Sequence, residues 1–256
     1  DAAPTITISD VTAVDESASN ATFTISLSTP THSAKDITVE YGTSDGTAYA
    51  GMDYTETSGM LTIAAGFMSG TFDVPILADT LDEFNETATI TLSSATNATI
   101  SESSATLTIT DDDPQPTITF VDVTTENEDA QNATFEATLS AESGLDITLD
   151  YFTAQETATP GADYIETSGT LTITAGNLLG NFVVPVLADA IDEDNETVQI
   201  NLNNNIGAVL DQSSVTLTIT DDDDAPNITI ADVTTVDESA ANATFTVSLS
   251  EASAKD

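Results

Sequence analysis

The sequence repeats itself at a period of about 110 residues, and this constrains the fold more than any other feature. PTITISDVTAVDESASNATFTISLS, starting at Pro4, returns as PTITFVDVTTENEDAQNATFEATLS from Pro116 and as PNITIADVTTVDESAANATFTVSLS from Pro226. GMDYTETSGMLTIAAG (51–66) matches GADYIETSGTLTITAG (161–176), and VPILADTLDEFNETATITL (74–92) matches VPVLADAIDEDNETVQINL (184–202). Solenoid turns are 20–50 residues long, so a unit of this size has to be a domain with its own core. The repeats divide the chain into 1–113, 114–224 and a truncated third start at 225–256. That last piece has room for two strands, which are marginal in water on their own. The expected reading is a window on a longer array.

Within each unit, apolar and polar residues alternate at period two, the signature of half-buried strands. Phe23, Ile25 and Leu27 share one face, while Thr22, Thr24, Ser26 and Ser28 share the other. Ile37, Val39 and Tyr41 follow the same rule, as do Leu61 with Ile63, Ile90 with Leu92 and Leu107 with Ile109. So do Phe135, Ile147, Leu149, Ile200, Leu202, Leu217 and Ile219 in the second unit. No apolar face of helical period exists. Asp45-Gly46 and Ser58-Gly59 read as turns. Pro75 and Pro185 cannot donate to a ladder, which predicts edge strands there. The expected architecture is all-β: tandem seven-stranded, immunoglobulin-like sandwiches. Without tryptophan, each core is expected to be small and aliphatic.

Charge then excludes whole classes of function. The chain has 44 acidic and 2 basic residues, a formal net charge of −42; the two cations are Lys35 and Lys255. Nucleic-acid binding needs several cations to neutralise phosphates, so it is excluded. An anionic membrane surface attracts basic segments that this chain lacks, and no apolar run is long enough to insert. The absence of cysteine removes disulfides and thiolate sites, and a single histidine, His32, cannot build a multi-histidine centre. His32 has no counterpart in the second unit, so it reads as a surface-loop residue. Carboxylate pairs such as Asp82 and Glu86 recur with the repeat and face no evident substrate groove, so they read as metal or solvent groups. No enzyme is expected.

The carboxylates are clustered. Unit one gathers them at Asp15-Glu16, at Asp53, at Asp79 with Asp82, Glu83 and Glu86, and at Asp111-Asp112-Asp113. Unit two repeats the set at Glu126 with Glu128, at Asp163, at Asp189 with Asp192, Glu193 and Glu196, and from Asp221 to Asp224. All lie in connections or at strand ends, and the connections of a sandwich cluster at its two poles. Two carboxylates about 4 Å apart repel by about 1 kcal/mol even in water. Several at one pole would splay the loops or raise their pKa values. Ca²⁺, which takes 6–8 oxygen ligands, reverses that energy, and it suits such a site better than Mg²⁺ with its strict octahedron. Neither the EF-hand loop nor the Gly-rich calcium nonapeptide is present.

The ordered set of VDES with Glu16, DGTAYAGMDY (45–54), ILAD…DE…NET (76–87) and TITDDD (108–113) resembles the Calx-β domain. The second unit is similar through ATPGADY (158–164), VLADAIDEDNET (186–197) and TITDDDD (218–224). The resemblance implies calcium at one end of each sandwich. Its ligands would be Glu16, Asp53, Asp79, Glu83, Asp111, Asp112 and Asp113, then Glu128, Asp163, Asp189, Glu193, Asp221, Asp222 and Asp223. Family members often carry an acid run where this chain has Ala78-Asp79-Thr80 and Ala188-Asp189-Ala190, a departure that implies fewer ions or weaker binding.

Together these readings predict a calcium-stiffened extender or stalk segment of a cell-surface or secreted adhesin, located outside the cell. Its expected partners are neighbouring repeats of the same chain, and other surface or matrix proteins. Two alternatives stand beside it. One is a structural filament or surface-layer subunit whose acids stay hydrated. The other is a calcium sensor domain regulating an exchanger.

Overall fold

Strands form where the alternation falls, because burying one face of each run is the only way these residues can leave water in register. The computed structural model describes residues 3–28, 33–125, 127–233, 237, 239 and 241–255; His32 and Glu126 lie outside the described residues. The chain divides into two units, Asp1–Pro114 and Gln115–Asp256.

In unit 1 the strands are β1 (Thr5–Ile8), β2 (Val11–Asp15), β3 (Asn20–Leu27), β4 (Ile37–Asp45), β5 (Ser58–Ile63), β6 (Ser69–Pro75), β7 (Glu86–Thr96), β8 (Thr99–Ile100) and β9 (Ser104–Thr110). They make a four-stranded sheet, β6-β3-β1-β8, and a five-stranded sheet, β2-β9-β7-β4-β5. Ile6, Phe23, Ile25 and Val74 from the first sheet share one buried cluster with Val39, Ile63, Ile90 and Leu107 from the second. This is a β-sandwich. Each fully buried side chain of this size contributes about 1.5–3 kcal/mol.

Among the described residues of unit 1, nine strand segments appear where seven are expected, and the most consequential addition comes from the first strand changing sheets. Thr5–Ile8 pairs with β3, then the chain crosses over and Val11–Asp15 runs parallel to β9, with Asp15 opposite Thr110. The Asp10 carboxylate accepts from Thr106 N–H at 2.7 Å and pins the crossing. The switch carries Glu16 to the end of β9, where the acid run begins. The other addition is the two-residue β8, parallel to β1.

Two further expectations are corrected. Ser58-Gly59 is not a turn; it opens β5 and pairs with Tyr41 and Gly42. Gly59 is needed because a Cβ there would lie 2.9 Å from the Tyr41 hydroxyl. The core is also not purely aliphatic. Tyr41 stacks on Phe72 at 3.9 Å and Phe72 on Phe23 at 5.5 Å, and Tyr54 is fully buried. Pro75 ends β6, which is an edge strand as the missing donor requires.

Unit 2 repeats the plan with β10 (Thr117–Thr119), β11 (Val123–Thr124), β12 (Asn132–Leu139), β13 (Ile147–Gln155), β14 (Ser168–Ile173), β15 (Leu179–Pro185), β16 (Glu196–Ile206), β17 (Val209–Leu210) and β18 (Ser214–Ile219). The sheets are β15-β12-β10-β17 and β11-β18-β16-β13-β14, and the ring stack recurs as Tyr151, Phe182 and Phe135. The start of the third repeat forms a hairpin, β19 (Ile228–Ile230) with β20 (Val247–Leu249). Its Ile228 is 74% exposed, whereas the equivalent Ile6 is fully buried.

Candidate metal centre

Four segments bring acids to one pole of unit 1, and the pairing of the strands explains why. Parallel pairing of β2 with β9 places Glu16 beside the residues after Thr110, and Glu16 N–H donates to the Thr110 carbonyl at 3.1 Å. Antiparallel pairing of β7 with β9 sets Glu86 opposite Ile109, two residues before Asp111. The connection after β4 is tied down by the Asp53 carboxylate, which accepts from Tyr49 N–H at 2.6 Å, and by the Asp53 carbonyl, which accepts from Leu77 N–H. Glu83 N–H donates to Asp111 Oδ1 at 3.2 Å, and Asp111 N–H donates to Asn85 Oδ1 at 3.2 Å. The loops are therefore linked to one another before any ion is considered.

Among the described residues the result is two carboxylate groups per unit. Glu16, Asp111 and Asp113 form one in unit 1, and Asp53, Glu83 and Glu86 the other. In unit 2 the groups are Glu128, Asp189 and Asp223, and Asp163, Glu193 and Glu196. Within each group an oxygen from every residue lies within 4.8 Å of the others. Oxygens held about 2.4 Å from one cation can be no more than about 4.8 Å apart, so the spacing suits a shared calcium.

Electrostatics at the pole reflect the crowding. Glu16 is pushed up from 4.5 to about 7, first by burial and then by the Asp113, Asp79 and Asp111 carboxylates. Glu86 rises to about 8 through burial and the neighbouring Asp53, Glu83 and Asp79. Burial leads again at Glu128 and Glu196, both raised to about 7. Glu83 and Glu193 shift upward for the same reasons. Each unit also holds a buried carboxylate oxygen with no hydrogen-bond partner among the described residues, Asp113 Oδ2 and Asp223 Oδ2. A buried charged oxygen without a partner is costly, and a cation satisfies it.

The sequence-derived ligand set falls into four classes. Glu16, Asp53, Glu83, Asp111 and Asp113, with Glu128, Asp163, Asp189, Glu193 and Asp223, sit in the carboxylate groups. Asp79 lies close enough to raise both Glu16 and Glu83, while its own carboxylate accepts from Leu81 N–H at 2.7 Å. Asp112 and Asp222 are exposed and belong to neither group of their unit; Asp112 stands beside Asp15. Asp221 accepts from Glu193 N–H at 3.1 Å and meets Lys255 Nζ at 3.3 Å. Glu86 and Glu196 were not in the predicted set, yet each completes a group. They are strand residues, and their signal was the ladder position opposite Ile109 and Ile219.

The sequence profile of the Calx-beta domain matches residues 1–113 and again 111–223. Among solved structures the chain is similar to CBD12 from CALX1.2, at 17% identity, covering 84% of this chain and 99% of that one with a TM-score of 0.41. It is also similar to the calcium binding domain CBD12 of CALX1.1, at 16% identity, 82% and 99% coverage and a TM-score of 0.41. The apo-form Calx CBD1 domain aligns at 24% identity, over 43% of this chain and 98% of that one, with a TM-score of 0.40. No curated protein matches the sequence.

Proposed function

We propose that this chain, which belongs to the Calx-beta domain family, binds calcium at the acidic pole of each repeat and serves as a calcium-stiffened extender segment of a cell-surface or secreted adhesin. The observation that carries the calcium reading is the pair of orphaned buried oxygens, Asp113 Oδ2 and Asp223 Oδ2, each within a carboxylate group of its unit. Glu16, Asp111 and Asp113 would hold one ion and Asp53, Glu83 and Glu86 another, with the matching residues doing so in unit 2. Calcium supplies positive charge that offsets the mutual repulsion of these acids.

The stiffening follows from where the acids sit. Asp111 and Asp113 directly follow β9, and Pro114-Gln115-Pro116 comes next. Two prolines restrict the connection, and fixing the residues before it to the loops of unit 1 reduces its freedom further. The role places the chain outside the cell, where calcium would fill sites of the affinity typical of extracellular modules, a Kd of about 10⁻⁴–10⁻³ M. The role is binding and mechanical support, not catalysis. Small-angle scattering and thermal melting, with calcium and after adding EGTA, test it: the calcium form is the stiffer and melts higher. Unchanged profiles and melting temperatures would refute the role.

A further inference from the structure

The only two basic residues of the chain occupy the same place in the repeat. Lys35 lies in Ser33-Ala34-Lys35 and Lys255 in Ser253-Ala254-Lys255. Both loops have the same local form, with the lysine N–H donating to the serine hydroxyl oxygen at 3.1 Å. Unit 2 keeps that turn, since Leu145 N–H donates to Ser143 Oγ at 3.1 Å, but carries no cation there.

The third-repeat loop is docked on the pole of unit 2. Ser253 bridges to Asp192 in a parallel sense, and Ala254 N–H donates to the Asp192 carbonyl at 3.0 Å. Ser253 Oγ donates to Asp192 Oδ2 at 3.0 Å. Lys255 Nζ donates to Asp192 Oδ1 at 2.5 Å and to Asp221 Oδ2 at 3.3 Å. The side chains of Asp192 and Asp221 are only 7% and 9% exposed. The ammonium pairs these covered carboxylates, and removing it would leave a buried charge unpaired. Backbone N–H, hydroxyl and ammonium of one short loop all find acceptors, which is a fit that can discriminate between loops.

We propose that the Asp192–Asp221 edge is a receptor for the Ser-Ala-Lys loop of a succeeding repeat, with the lysine as the recognition residue. In a chain with 44 acids and 2 cations, one of the two cations joins the third-repeat loop to the pole of unit 2. Repeat 1 presents the same loop, with Lys35 exposed. The proposal does not depend on calcium, so its test is run in EGTA.

With only two lysines, acetylation followed by mass spectrometry reads each one separately in the full chain. Lys255 should react several-fold more slowly than Lys35. Asp192→Asn, or screening at about 1 M NaCl, should bring it to the Lys35 rate. Lys255→Ser removes the ammonium but leaves the Ser253 hydroxyl and the Ala254 N–H of the loop in place, and should remove the hydrogen-exchange protection of the Ala254 amide. Equal lysine rates in the unmodified chain, or an Ala254 amide still protected in Lys255→Ser, overturn the proposal.

Discussion

In the absence of calcium the protein should lose stability as pH rises from about 5 to about 8, the reverse of what salt-bridged carboxylates produce. A carboxyl whose folded pKa lies above its unfolded value binds more protons when folded. Stability is then highest below the unfolded value, falls as pH climbs from 4.5, and levels off above the folded value of about 7 at Glu16 and about 8 at Glu86. At 1.36 kcal/mol per pH unit, the rise at Glu16 corresponds to on the order of 3 kcal/mol, and that at Glu86 to somewhat more. Both depend partly on Asp79, so they do not add in full, and about 3–5 kcal/mol for unit 1 is the expected loss. That is a large share of a typical domain stability of about 5–15 kcal/mol. Urea unfolding in EGTA, at constant ionic strength and stepped pH, measures it. Saturating calcium should abolish the slope. A flat unfolding midpoint across this range in EGTA would show that the acids are not crowded as described.

Other consequences are more local. Glu86→Gln and Glu196→Gln should raise the urea midpoint of the calcium-free protein near pH 8 while removing a ligand from one group in each unit, seen as weaker calcium binding in titration. Tyr54 donates to Asp45 Oδ1 at 2.6 Å, whereas the buried Tyr164 hydroxyl has no partner and faces a repeat with Gln155 at the matching position. Tyr54→Phe should therefore cost about 1.5–3 kcal/mol and Tyr164→Phe nothing or less, measured by thermal melting of the two variants. A Cβ at Gly46 would lie 2.4 Å from the Thr87 carbonyl oxygen, a backbone atom that cannot easily move. Gly46→Ala is expected to destabilise unit 1 by about 1–3 kcal/mol in chemical unfolding.

The period-two pattern made the sandwich legible because one face of nearly every strand must be buried. What it could not show was strand partnership. The apolar parity slips between Ile8 and Val11, with Asp10 where the next inward residue would fall, but that slip does not say that the chain changes sheet there and brings Glu16 to Asp111 and Asp113. Ser58-Gly59 looks like a turn because glycine usually permits one, whereas here it clears space for the Tyr41 ring. At the poles, loop acids were recognisable by their recurrence. Glu86 and Glu196 stand in the recurring clusters at strand starts, but the ligand set implied by the family resemblance leaves them out. Only antiparallel pairing with β9 and β18 places them within the groups.

Calorimetric titration of calcium into the metal-free chain tests the central claim most directly. With two carboxylate groups among the described residues of each unit, binding should saturate at about four ions, persist in excess sodium and weaken in Asp113→Asn and Asp223→Asn. Heats that never saturate, or that sodium at equal ionic strength reproduces, would mean that the poles are hydrated surface and hold no specific ion.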